Sequence, residues 1–89
     1  HLQPKVYPLA HLQGYNYGQF VSNSLDVLTT LAAREVLHPR LEAKTLEDYF
    51  KSVQEVENDT NFGPVFKSPE IGKKLDVLRA RQDVLRTRL

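Results

Sequence analysis

The chain has 89 residues, 40% of them hydrophobic and 26% charged, with a formal net charge of +1. That length allows one domain, near the size at which a single core is only just sufficient, and the apolar fraction with so little net charge argues against a disordered polyelectrolyte. The absence of cysteine excludes disulfides, thiolate metal sites and cysteine nucleophiles, and no run approaches the roughly 20 apolar residues of a membrane span.

Lack of cysteine also fits an intracellular protein. A chain with no methionine that starts at His1 is expected to be a processed product or a domain excised from a longer protein. Charge is unevenly distributed. Residues 1–44 carry four basic and three acidic side chains, residues 45–60 one basic and five acidic, and residues 61–89 seven basic and three acidic. An acidic middle and a basic end are expected to meet.

Residues 1–22 read as an extended arm lying on a helical domain of residues 23–89. Pro4 and Pro8 break helix, and Gly14 and Gly18 flank Tyr15-Asn16-Tyr17. The first helix is predicted over 24–38, with Asn23 or Ser24 as N-cap and Asp26 in the first turn. Leu25, Leu28, Ala32 and Val36 form its apolar stripe, and Val27 with Leu31 widens it toward burial on most sides. Pro39 is expected to stop this helix at about His38.

The second helix is predicted over 45–58, opened by Thr45 and Asp48 at capping-box spacing. Leu46, Tyr49, Phe50, Val53 and Val56 form its stripe, and Asn58-Asp59-Thr60-Asn61 before Gly63-Pro64 ends it. A third helix over 69–89 has the strongest start: Ser68, then Pro69 at the first position and Glu70 in the first turn. The fold expected is therefore all-α, a small three-helix bundle with an extended N-terminal arm and heptad character in its last helix.

That character is an in-register repeat, Asp76-Val-Leu-Arg-Ala-Arg-Gln followed by Asp83-Val-Leu-Arg-Thr-Arg-Leu. With Ile71, Leu78 and Leu85 at heptad position d, Leu75, Gln82 and Leu89 fall at a. The e flank is then Gly72, Arg79 and Arg86, and the g flank Lys74, Arg81 and Arg88. All charged flanks are positive, which disfavours self-pairing through this seam in either orientation. Packing on the acidic second helix of the same chain is the favoured use of the seam; docking to an acidic helix of another protein is the other. Gln82 either fixes register against a buried polar group or lies at a solvated edge.

Val77 and Val84, with Ala80 between them in sequence, define a second apolar stripe. It either meets the first helix in the core or forms a dimer or partner surface. Together these patterns point to a non-enzymatic helical protein–protein interaction module that oligomerises or docks within a larger assembly. Its contact residues would be Leu75, Val77, Leu78, Val84, Leu85 and Leu89, with Arg79, Arg81, Arg86 and Arg88 setting partner choice.

Catalytic motifs are missing: there is no Gly-x-Ser-x-Gly, P-loop, Gly-x-Gly-x-x-Gly or His-Glu-x-x-His. Glu35-Val-Leu-His38 has the spacing of a di-iron half-site but lacks a second copy, so neither metal nor cofactor is expected. Asn58-Asp59-Thr60 matches a glycosylation sequon, a short pattern that arises often by chance. The alternative function is a nucleic-acid-binding helical protein whose basic last helix contacts phosphates while Tyr15, Tyr17 and Phe20 stack on bases. Asp76 and Asp83 interrupt the basic face and weigh against it.

Overall fold

Asn16 starts the first helix, its side-chain oxygen accepting the Gln19 amide at 3.0 Å. In the computed structural model, which describes residues 16–88, α1 runs Tyr17–Arg34, α2 Pro39–Val56 and α3 Pro69–Arg88, with a 3-10 turn Gly63–Lys67 before α3. No strand occurs among the described residues. Three-helix architecture is as the sequence predicts. Three of the helix boundaries are not.

Helix α1 begins about two turns before Asn23. Asn16 is as good a cap as Asn23 or Ser24, and Gly18 falls in the first turn, where it costs little. Tyr17, Val21, Leu25 and Leu28 then lie along one buried face. The helical domain therefore reaches back through residues 17–22, which the sequence assigned to the arm; the remainder of the arm, 1–15, lies outside the described residues.

At its other end α1 stops at Arg34 because Glu35 turns left-handed, with φ 50°, and its N–H donates to the Ala32 carbonyl. Pro39 acts as a helix starter instead of a stop: it occupies the first position of α2, with extended His38 before it as N-cap. The His38 Nδ1 accepts the Arg40 amide at 3.1 Å. The capping box at Thr45 does not form, because Thr45 is already inside the helix and its hydroxyl donates to the Leu41 carbonyl.

After α2, the Asp59 carboxylate accepts the Asn61 and Phe62 amides, both at 2.8 Å, and tightens the turn. Gly63 is buried so close to the Glu57 carbonyl that any Cβ would collide with it. Helix α3 starts where the sequence predicts, with Ser68 extended and its carbonyl accepting the Gly72 amide.

Each helix gives four residues to one core: Tyr17, Val21, Leu25 and Leu28; Leu46, Tyr49, Val53 and Val56; Ile71, Leu75, Leu78 and Leu85. Helix α3 packs against both other helices. Lys74 reaches Ser22 and Asp26 while Arg88 reaches Glu35, so α1 and α3 run parallel. The Ser24–Tyr49 hydrogen bond, 2.8 Å, ties antiparallel α2 to α1. Burial pushes the Tyr49 hydroxyl pKa up to about 12, with the bond to Ser24 acting the other way. Val27 is exposed, and Val36 falls past the end of the helix, exposed in the linker, so α1 buries one face and is not enclosed on most sides as its composition suggested.

Candidate docking surfaces of the third helix

The heptad places the leucines of α3 inward. Leu75, Leu78 and Leu85 are each 5% exposed or less, so three of the expected partner-binding residues are spent on the monomer core. Leu89 lies outside the described residues.

Helix α3 packs on α2 as expected, but neither cation flank forms an ion pair with the acids of residues 46–57. On the g flank, Arg81 makes a bidentate pair with Glu42, two bonds of 2.7 Å. The two side chains are only 17% and 5% exposed. The Glu42 hydrogen bond, opposed by burial, holds the Arg81 pKa above its ordinary value. Glu35 extends the group, 3.1 Å from Arg88 and 3.7 Å from Arg81. Lys74 completes the flank with Asp26 at 2.8 Å. The acidic partners therefore come from α1, the α1–α2 linker and the first turn of α2. Glu47 and Asp48 instead pair with Lys44 on their own helix, raising the Lys44 pKa, chiefly through the Asp48 hydrogen bond.

The e flank is built differently. Arg79 and Arg86 project over the seam between α2 and α3, their side chains 55% and 67% exposed. Their ion pairs are with their own helix: Asp76 at 3.9 Å and Asp83 at 3.3 Å. The Arg79 guanidinium carbon stands 5.1 Å from the ring centre of half-buried Phe50. Around that ring lies an open groove of about 450 Å³, walled by Glu47, Lys51 and Gln54 on one side and by Arg79, Gln82, Asp83 and Arg86 on the other. Gln82 thus lies at a half-buried edge of the seam. Phe50 was legible only as a stripe residue; at 3.6 residues per turn it sits about 80° from the mean direction of Leu46, Tyr49, Val53 and Val56, and that place at the stripe's edge is the one signal that marks it as a groove floor.

The second stripe stays out of the core. Val77 and Val84 remain 55% and 44% exposed, about 10.5 Å apart at 1.5 Å per residue. Ala80 between them is exposed as well.

Glu35 and His38 share no helix face, since both lie in the linker and His38 caps α2. No group of three or more metal-ligating side chains exists among the described residues, and no described helix is long and apolar enough to cross a membrane. Tyr17 packs edge-on against Phe62 at 5.0 Å and Phe66 at 6.0 Å; Tyr15 lies outside the described residues.

Compared with protein-family models, characterised proteins and solved structures, the chain matches none.

Proposed function

We propose that this chain is a non-enzymatic helical interaction module, oligomerising or docking within a larger assembly through α3. The observation that carries the reading is the exposure of Val77 and Val84 at heptad spacing on a helix whose leucines are already buried. Scattered exposed valines need no explanation. Two in register, with Ala80 between them, make a continuous apolar ridge suited to a flat or grooved partner. The phosphate-binding alternative has less support, because Lys74, Arg81 and Arg88 are held by carboxylates of the same fold.

The test is the double substitution Val77→Asp and Val84→Asp, followed by light scattering and far-UV circular dichroism. Substitutions at such exposed positions leave stability within about 0.5 kcal/mol, so helicity and unfolding midpoint should hold while association is lost. Loss of folding would assign the valines to the core, and unchanged association would remove them from the interface; either outcome sinks the reading.

A further inference from the structure

Helix α2 carries its end charges against its own dipole. The positive N-terminal end of a helix favours carboxylates and the negative C-terminal end favours cations. Arg40 nevertheless stands in the first turn of α2, while the last turn holds Glu55 and no basic residue, and Glu57 follows as the C-cap. All three residues are exposed. None of them joins an ion pair among the described residues, where Arg81 and Arg88 take Glu42 and Glu35.

The other charges follow the same polarity. Those arginine pairs put the α1–α2 linker and the C-terminal end of α3 at one end of the bundle. Tyr17 against Phe62 and Phe66 puts the start of α1 and the 3-10 turn at the other. Residues 34–42 and 81–88 hold five arginines against three carboxylates, whereas residues 17–22 and 55–70 hold four carboxylates against one lysine. About 22 Å of helix separates Arg40 from Glu55, more than twice the Debye length at physiological salt. The two surpluses therefore cannot neutralise each other within one molecule. Both ends also present apolar surface: Val36 and Leu41 are more than half exposed at the basic end, and Phe62, Val65 and Phe66 are only partly buried at the acidic one.

We propose that the basic end of one copy docks on the acidic end of a second copy, with Arg40 against Glu55 and Glu57, and Val36 and Leu41 against Phe62 and Phe66. Stacked in this way, the α2 dipoles of the two copies run head to tail and each misplaced charge meets an opposite one. The occupant is a second copy because one chain supplies both halves of the match, at ends that never meet in the monomer. The contact is heterologous and does not close on itself, so copies add in a row. The bundle measures 25 by 19 Å across, which limits the face to roughly 400 Å² per copy, about half that of a standard interface. Association through it is therefore weak and sensitive to salt. This contact goes beyond the reading of α3 as a docking element and uses neither Val77 nor Val84.

Charge reversal at each end of the full chain tests this. Arg40→Glu spoils the basic end, and Glu55→Arg with Glu57→Arg spoils the acidic end. Both changes agree with the α2 dipole, so each variant should unfold a few degrees above the wild type. In sedimentation velocity at low salt, the wild type should associate increasingly with concentration, and each variant about tenfold more weakly or less still. A protein that is more stable and associates less has not lost its contact through damage to the fold. Mixing the two variants, or combining all three substitutions in one chain, should restore association, because opposite charges face each other again. At about 0.5 M salt, where the Debye length is near 4 Å, the contact should dissolve. Association that survives there belongs to the ridge of α3, so the two readings fail separately. A wild type monomeric at low salt and millimolar concentration would overturn the proposal, and so would a mixture of variants that stays monomeric. Association lost in one variant and intact in the other would overturn it as well, since the contact needs both ends.

Discussion

The two flanks of α3 carry nearly the same side chains and live in different surroundings. At g, Lys74, Arg81 and Arg88 all find carboxylates on other elements, and the Arg81–Glu42 pair is almost sealed from solvent. At e, Arg79 and Arg86 find only acids of their own helix and stand more than half exposed. Chemistry alone does not make a cation structural or free. What decides it is which neighbour the topology brings alongside: the linker and first turn of α2 supply Glu35 and Glu42 to one flank, and the middle of α2 supplies Phe50 and an open groove to the other.

Removing one guanidinium from each flank gives the largest difference. Arg81→Ala leaves the Glu42 carboxylate buried without its partner, and breaking a buried pair from one side costs on the order of 3 kcal/mol or more. Arg79→Ala removes an exposed pair and a cation–π contact, together about 1 kcal/mol or less. Urea unfolding with unchanged slope reads both. Replacing both partners, Arg81→Met with Glu42→Met, should recover most of the loss, since an apolar pair has no charge to desolvate. Equal costs at positions 79 and 81 would erase the distinction between the flanks.

The inward face of α3 was the most legible part of the chain. Ile71, Leu75, Leu78 and Leu85 follow from periodicity alone, as does the start at Pro69, because both are local rules. Charge complementarity between α3 and the rest of the chain was also readable, but its partners were not. Summing acids over 45–60 pointed to the second helix as placed, whereas Pro39 starts that helix six residues earlier and so brings Glu42 to Arg81. Proline reads equally well as a stop or a start, and only the left-handed Glu35 settles which one applies. The early start of α1 was hidden similarly, behind a glycine that is harmless in a first turn. Exposure of the Val77–Val84 stripe had no local signal at all: it depends on how far α1 reaches around α3, a property of the assembled bundle.

A smaller effect sharpens the open flank. Gly72 occupies the same heptad position as Arg79 and Arg86, and a Cβ built there meets nothing within 4 Å. Its amide is already bonded to the Ser68 carbonyl in helical geometry. Gly72→Ala should therefore stabilise by about 0.5–1 kcal/mol, mostly by restricting the unfolded chain. Thermal unfolding measures it, with a rise of a few degrees expected in a chain this short. A fall instead would mean that the N-terminal end of this flank is occupied, and that the groove is less open than the rest of the geometry makes it.

The smallest effect belongs to the closed flank, at its exposed edge. The Arg88 hydrogen bond, followed by the Arg88 and Arg81 charges, holds the Glu35 carboxyl below its ordinary value of 4.5. A carboxylate whose folded pKa is depressed binds protons more readily in the unfolded chain, so stability rises with pH across the interval between the two values. Glu35 therefore contributes in full above about pH 4.5, and its contribution fades as pH falls from there through the folded midpoint. Following the Glu35 side-chain carboxyl by NMR should give a midpoint under that of an unpaired glutamate. Arg88→Gln should move it back upward, and only part of the way, since Arg81 still stands 3.7 Å from the same oxygen. Arg86→Gln, on the other flank, should not move it. A Glu35 midpoint indifferent to Arg88 would mean that the ladder from Glu42 through Arg81 to Glu35 and Arg88 ends one step short, with Arg88 as free as the arginines at e.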